Sequence, residues 1–372
     1  MNVVFYVSGH GFGHASRATE VINALARRRP DARVIVRTTV PRWFLERSAR
    51  GAIEIQPVDV DTGVVQIGSL KIDHAETARR AAAFYRTFAT RVNEEAHALG
   101  SLGATLVVGD IPPLAFAAAA AAGLPSVAIA NFTWDWIYEA DESFERTAPG
   151  VIELIRESYA GVRLALRLPL HGGFAPMIGV TRDIPFIARR ARRSKAEARG
   201  ILGLKGDETV VLASFGGHGA VMPYEEVARR SRFTLLLTDF EYAGRGSGGD
   251  RLRRFASSWL IERDLGYEDL VAAADVVVSK PGYGIVSECV ANGTSLLYTS
   301  RDRFPEYDVF VAEMPRLIRC GFIDPAHLLA GEWQDAVDRL LATPGPAASV
   351  DVSGADVAAD RLLELSSTGR TH

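Results

Sequence analysis

The chain has 372 residues, 48% of them hydrophobic and 23% charged, with a formal net charge of -3. That length can bury the cores of two ordinary domains. The near-neutral balance excludes a global pull toward nucleic-acid phosphates or anionic lipid, so the expected partners are small molecules.

The first unit is a strand at residues 2–8, the glycine-rich loop Gly9-His10-Gly11-Phe12-Gly13-His14, and a helix at 15–29 with Ala18, Val21, Ile22 and Leu25 on one face. The apolar run after Met1 covers only residues 3–7 and lacks a basic leader, so it reads as this strand and not as a signal peptide. Strands follow at 33–38 and 53–58, a helix at 74–99, a strand at 104–109, a helix at 113–122 and a strand at 126–130. The Ala-rich helix is closed by Gly123 and Pro125, far short of a bilayer span. Cys289 and Cys320 are too few for a disulfide framework or a zinc site and suit a reducing compartment. A cytoplasmic protein with no integral membrane segment is expected.

The pattern restarts after a connection at 184–206. Strands are expected at 209–214, 233–238, 257–261, 276–279 and 295–298, then a loose linker at 343–354 and a terminal helix at 355–365. Alternating strands and helices make an α/β chain of two Rossmann-like, doubly wound parallel sheets facing a central cleft. The expected domains are 1–187 for the acceptor, 188–354 for the donor nucleotide, and 355–372 as a C-terminal helix and tail. Arg27, Arg28 and Arg29 at a helix end, and Arg189, Arg190, Arg192 and Arg193 in the connection, are expected to be solvated charge.

The densest chemistry lies in Ser279-Lys280-Pro281-Gly282-Tyr283-Gly284-Ile285-Val286-Ser287-Glu288. A strand ends there in a turn whose Gly282 and Gly284 let helix-start amides approach a diphosphate, with Tyr283 between them. Glu288 falls one helical turn later, where a carboxylate can accept both ribose hydroxyls. Ser214-Phe215-Gly216-Gly217-His218-Gly219 forms a second small loop of this kind.

In the first half, Gly9, Gly11 and Gly13 lack the third glycine offset of a dinucleotide fold, and Arg37-Thr38 stand where an acid would bind NAD. His14 opens the helix at the cleft, either as a general base or as a helix-start contact to a phosphate. Asp110 lies just past a neighbouring strand end, as an orienting partner for His14 or as a turn residue before Pro112 and Pro113. His10 ranks below His14. Phe132, Trp134 and Asp135, together with His10 and Phe12, are candidate acceptor contacts, the aromatic run reading equally as core packing. Asp59 and Asp61 form an Asp-x-Asp pair, but a metal site is not expected.

The Ser279–Glu288 and Ser214–Gly217 segments resemble the donor-site signature of GT-B glycosyltransferases. The match implies that Glu288 binds ribose, that Glu306 contacts the sugar, and that Ser214, Gly216, Gly217, His218, Gly282, Tyr283 and Gly284 surround the diphosphate. Four segments, at 9–17, 61–66, 131–138 and 280–288, further resemble the GT-B-type N-terminal region of plant L-arabinokinase and its free-standing bacterial relatives. No kinase phosphate loop accompanies them here, so kinase activity is not implied. The resemblance implies an inverting transferase without a metal or other cofactor, taking a nucleotide-sugar, expected to be a UDP-sugar, as co-substrate. The alternative is a nucleotide-sugar-binding regulatory module without catalysis.

Overall fold

The computed structural model describes residues 1–68, 70–216, 222–238, 251–301, 304–347 and 349–368. Seven strands of the first half pair in parallel: β1 (Asn2–Val7), β2 (Arg33–Thr38), β3 (Glu54–Pro57), β4 (Leu106–Asp110), β5 (Ser126–Ala130), β6 (Leu164–Arg167) and β7 (Thr181–Asp183), in the order β3-β2-β1-β4-β5-β6-β7. Val3, Phe5 and Val7 feed one core while Val4 and Tyr6 feed another. Side chains alternate across the pleat and helices cover both faces, which is why β1 reads as an unbroken apolar run.

The second half repeats the plan with β8 (Val210–Ser214), β9 (Thr234–Thr238), β10 (Leu252–Phe255), β11 (Val276–Ser279), β12 (Ser295–Tyr298) and β13 (Cys320–Phe322). They pair in parallel in the order β10-β9-β8-β11-β12-β13. Four helices matter below: α1 (Phe12–Arg28), α2 (Tyr283–Asn292), α3 (Pro305–Leu317) and α4 (Gly354–Thr368).

Three expectations are corrected. The run at 257–261 is part of the helix Ser257–Glu262, because the ladder against β9 is taken by Leu252–Phe255; a five-residue apolar run suits either state. The single helix expected at 74–99 is two, His74–Arg86 and Phe88–Ser101, separated at Thr87 (φ -105°, ψ 15°). The connection at 184–206 contains the helix Lys195–Leu202, started by a capping box in which Ser194 and Glu197 satisfy each other's amides.

Two segments cross between the halves side by side. Ile187 bridges Ser353, and Phe186 N–H donates to Asp351 O at 3.2 Å. Beyond this strap α4 lies on α1, burying Ala358, Ala359 and Leu362 completely. Arg28 pairs with Asp356 at 2.6 Å and Asp360 at 2.5 Å, and Arg27 with Asp356 at 2.9 Å, so these two fasten α4 instead of being merely solvated, while Arg29 pairs with Asp31 at the exposed surface. Among the described residues no helix is long and apolar enough to cross a membrane.

Candidate active site

A cleft of about 370 Å³ opens between the carboxyl ends of the two sheets. On its first wall Gly11, at φ 73°, turns the chain from β1 into α1, a conformation suited to glycine. The next turn carries His14 in, and its Nδ1 lies 2.9 Å from Asp110 Oδ1 at the end of β4. Arg17, one helical turn later, donates Nε–H to Asp110 Oδ2 at 2.6 Å and Nη2–H to Oδ1, and its Nη1–H goes to Asn131 Oδ1 at 2.5 Å. Burial alone would raise the Asp110 carboxyl; Arg17, and then His14, overcome it and hold the pKa below its ordinary value. An ionised carboxylate only accepts, so the matching tautomer has Nδ1–H donated to Asp110 and leaves Nε2 as the basic nitrogen.

The second wall starts at Gly282, the N-cap of α2. A Cβ on Gly282 would meet no atom within 4 Å, whereas one on Gly284 would come within 3.2 Å of Gly13 Cα. Gly284 is thus a close-packing residue between the halves as well as part of the helix start. The Tyr283 ring lies under Arg17, 5.1 Å from the guanidinium carbon, and its hydroxyl accepts the Ile187 N–H at 3.1 Å. Ser214 Oγ accepts from the Tyr267 hydroxyl at 2.6 Å, and Gly216 has φ 77°. Gly217 and His218 lie outside the described residues.

Glu288 is 3% exposed, and its Oε1 accepts from Arg189 Nε at 2.7 Å and from Arg189 Nη2. Burial outweighs Arg189 and pushes the Glu288 carboxyl above its ordinary pKa. Arg189, expected as solvated linker charge, is therefore a half-buried partner of the carboxylate expected at the ribose; Arg192 and Arg193 do reach solvent beside Asp264. Glu306 Oε1 accepts the Asn131 Nδ2–H across the cleft at 2.6 Å, and Lys280 Nζ donates to Gln66 Oε1 at 3.0 Å.

The aromatic wall stands beside the histidine. Phe132 meets the His14 ring edge-on at 5.6 Å between centroids, and Trp134 stacks near it at 6.4 Å. His10 packs edge-on against Trp134, and Phe12 stacks on Phe44 at the cleft wall. Asp135 is not among the cleft-lining residues: it turns away from the opening and pairs with Arg156 at 3.4 Å. Asp61 accepts from Ser8 Oγ and Trp134 Nε1, both at 3.1 Å, so it anchors the aromatic wall.

No model of a known protein family matches the chain. Over 98% of its length it is 30% identical to L-arabinokinase of Arabidopsis thaliana, and it spans 34% of that protein. The calicheamicin glycosyltransferase CalG4 superposes with a TM-score of 0.63 at 16% identity, over 99% of this chain and 98% of that one. Phytolacca americana UGT2, solved with UDP-2-fluoro-glucose and pterostilbene, gives 0.61 at 12% identity over 99% and 94%. VinC, a glycosyltransferase solved with dTDP, gives 0.58 at 15% identity over 99% and 95%. The chain has the GT-B fold.

Within this GT-B frame the polar chain His14–Asp110–Arg17–Asn131–Glu306 runs from the first half to the second. Arg17 and Asn131 were absent from the sequence-derived site. A signal existed for Arg17, which follows His14 by three positions and so shares its helix face. Asn131 is the first residue past β5, at the carboxyl end where this topology gathers ligand contacts.

Proposed function

We propose that the chain is a cytoplasmic, metal-independent glycosyltransferase that moves a sugar, with inversion, from a UDP-sugar to the hydroxyl of a small-molecule acceptor. The observation that carries this reading is the His14–Asp110 pair, held by Arg17, with His14 on the cleft wall and Asp110 buried behind it. UDP-2-fluoro-glucose and dTDP in two proteins of the same fold support a nucleotide-sugar as donor.

In this reading His14 Nε2 takes the acceptor hydroxyl proton. The acceptor oxygen bonds to the anomeric carbon from the face opposite the nucleotide, and the bond from that carbon to the diphosphate breaks with its electron pair leaving on the diphosphate oxygen. Asp110 stabilises the imidazolium that forms, and Arg17 keeps Asp110 ionised so that the proton stays on the histidine. The amides at the start of α2 and the Lys280 ammonium receive the leaving charge. Glu288 holds the ribose and Glu306 a sugar hydroxyl.

A thermal-shift panel of nucleotides and nucleotide-sugars tests donor binding, since ligand at a hundred times its dissociation constant adds about 2.7 kcal/mol to stability. Release of UDP in the presence of an acceptor then tests transfer. One observation favours a second reading, a nucleotide-sugar sensor: Arg189, from the crossing strap, engages Glu288. Saturable nucleotide binding with no UDP release from any acceptor tried decides for the sensor.

A further inference from the structure

Arg301 stands three residues past the end of β12, in the loop that leads to Glu306. It lines the cleft, and its guanidinium carbon lies 3.9 Å from the centroid of the Phe304 ring. Two other cleft arginines have carboxylate partners, Arg17 with Asp110 and Arg189 with Glu288. Among the described residues Arg301 makes no hydrogen bond and no ion pair. Burial disfavours its charged form, and Glu306 is the acid whose field opposes this, yet one oxygen of Glu306 is already committed to Asn131. A half-buried guanidinium with no anionic partner among the described residues carries an uncompensated desolvation cost, and a ligand anion relieves it.

We infer that Arg301 receives the carboxylate of an acidic sugar, so that the group transferred is a uronic acid. This deepens, and rests on, the nucleotide-sugar reading of the same cleft. Position decides between the anions a donor offers. The diphosphate seat belongs to the carboxyl ends of β8 and β11, where β11 leads into Gly282. Arg301 follows the next strand outward, and the Phe304 ring beneath it packs into the core of the first half. That holds the guanidinium in the field of Glu306, the acid that meets Asn131 across the cleft, where the sugar must lie to show its anomeric carbon to His14. A planar fork held over an aromatic ring by its central carbon can still offer N–H groups to the two oxygens of a carboxylate.

Calorimetry on the full chain with UDP, UDP-glucose and UDP-glucuronic acid tests this. The uronic acid is expected to bind more tightly than glucose by about ten-fold or more, as for a charge-assisted hydrogen bond. Arg301→Gln is expected to erase that difference while affinity for UDP stays as it was and the melting temperature does not fall. Equal affinity for the two sugars in the unsubstituted chain overturns the inference and leaves the transferase reading standing. Equal weakening of UDP and both sugars by Arg301→Gln also overturns it, assigning the side chain to the diphosphate. Failure of all three compounds to bind removes the nucleotide-sugar reading and this inference with it.

Discussion

Asn131 of the first half donates its Nδ2–H to Glu306 Oε1 of the second at 2.6 Å, while its Oδ1 accepts from Arg17. One amide therefore ties the acid expected at the donor sugar to the arginine that holds the His14–Asp110 pair. The relative placement of the two halves and the protonation chemistry of the first are thus coupled through named hydrogen bonds.

His14→Ala is expected to lower turnover about a hundred-fold or more, with donor affinity nearly unchanged, because a proton acceptor is lost and no ground-state donor contact is. Single-turnover kinetics beside calorimetry check this. Intact chemistry with lost donor binding would instead make the histidine a phosphate contact.

Asp110→Asn leaves Arg17 buried without its carboxylate, so at pH 7 it is expected to cost about 3–5 kcal/mol of stability besides a smaller fall in turnover. The folded-state pKa of Asp110 is depressed, so its contribution is present above the ordinary carboxyl value of 3.8 and is lost as pH falls through the lower folded value. Denaturant melts of both proteins should therefore converge on acidification. A gap that stays constant to the acid limit would contradict this.

Glu288→Ala is expected to weaken nucleotide binding by about 1.5–3 kcal/mol, the worth of a charge-assisted hydrogen bond, and also to destabilise the chain by leaving Arg189 with only Glu268, at 3.6 Å, as an ionic partner. Arg189→Met provides the control, being expected to reduce stability with a smaller effect on affinity. Should Glu288→Ala lower only the melting temperature, the carboxylate would belong to the strap and not to the ribose.

Gly284→Ala places a methyl group 3.2 Å from Gly13 Cα, so the halves must shift by a few tenths of an ångström, whereas Gly282→Ala meets open space. Overpacking of this kind costs about 1–3 kcal/mol. A larger drop in melting temperature for Gly284→Ala than for Gly282→Ala is expected, and the reverse order would contradict the packing role.

Arg28→Ala removes pairs to Asp356 and Asp360 whose acids are about half exposed, at 46% and 57%. Solvent screening keeps the expected loss to about 0.5–1 kcal/mol, smaller still in high salt. Melting curves at two ionic strengths would show this; a salt-independent loss would point to packing of the arginine stem on α4 instead.

The sequence by itself determined the two parallel sheets, because runs such as Val3–Val7 and Val276–Ser279 are apolar on both faces and alternate with amphipathic helices, a pattern local in the chain. It also determined which residues end the strands, so that His14 and Gly282 both open on one cleft, with Asp110 buried behind the histidine. Only the tertiary structure decided their partners. Asn131 and Glu306 stand 175 positions apart, Arg189 and Glu288 stand 99 apart, and Arg28 and Asp360 stand 332 apart. No periodicity relates such positions; each pair exists because elements built separately along the chain dock in one orientation, and that docking decides which polar group meets which partner.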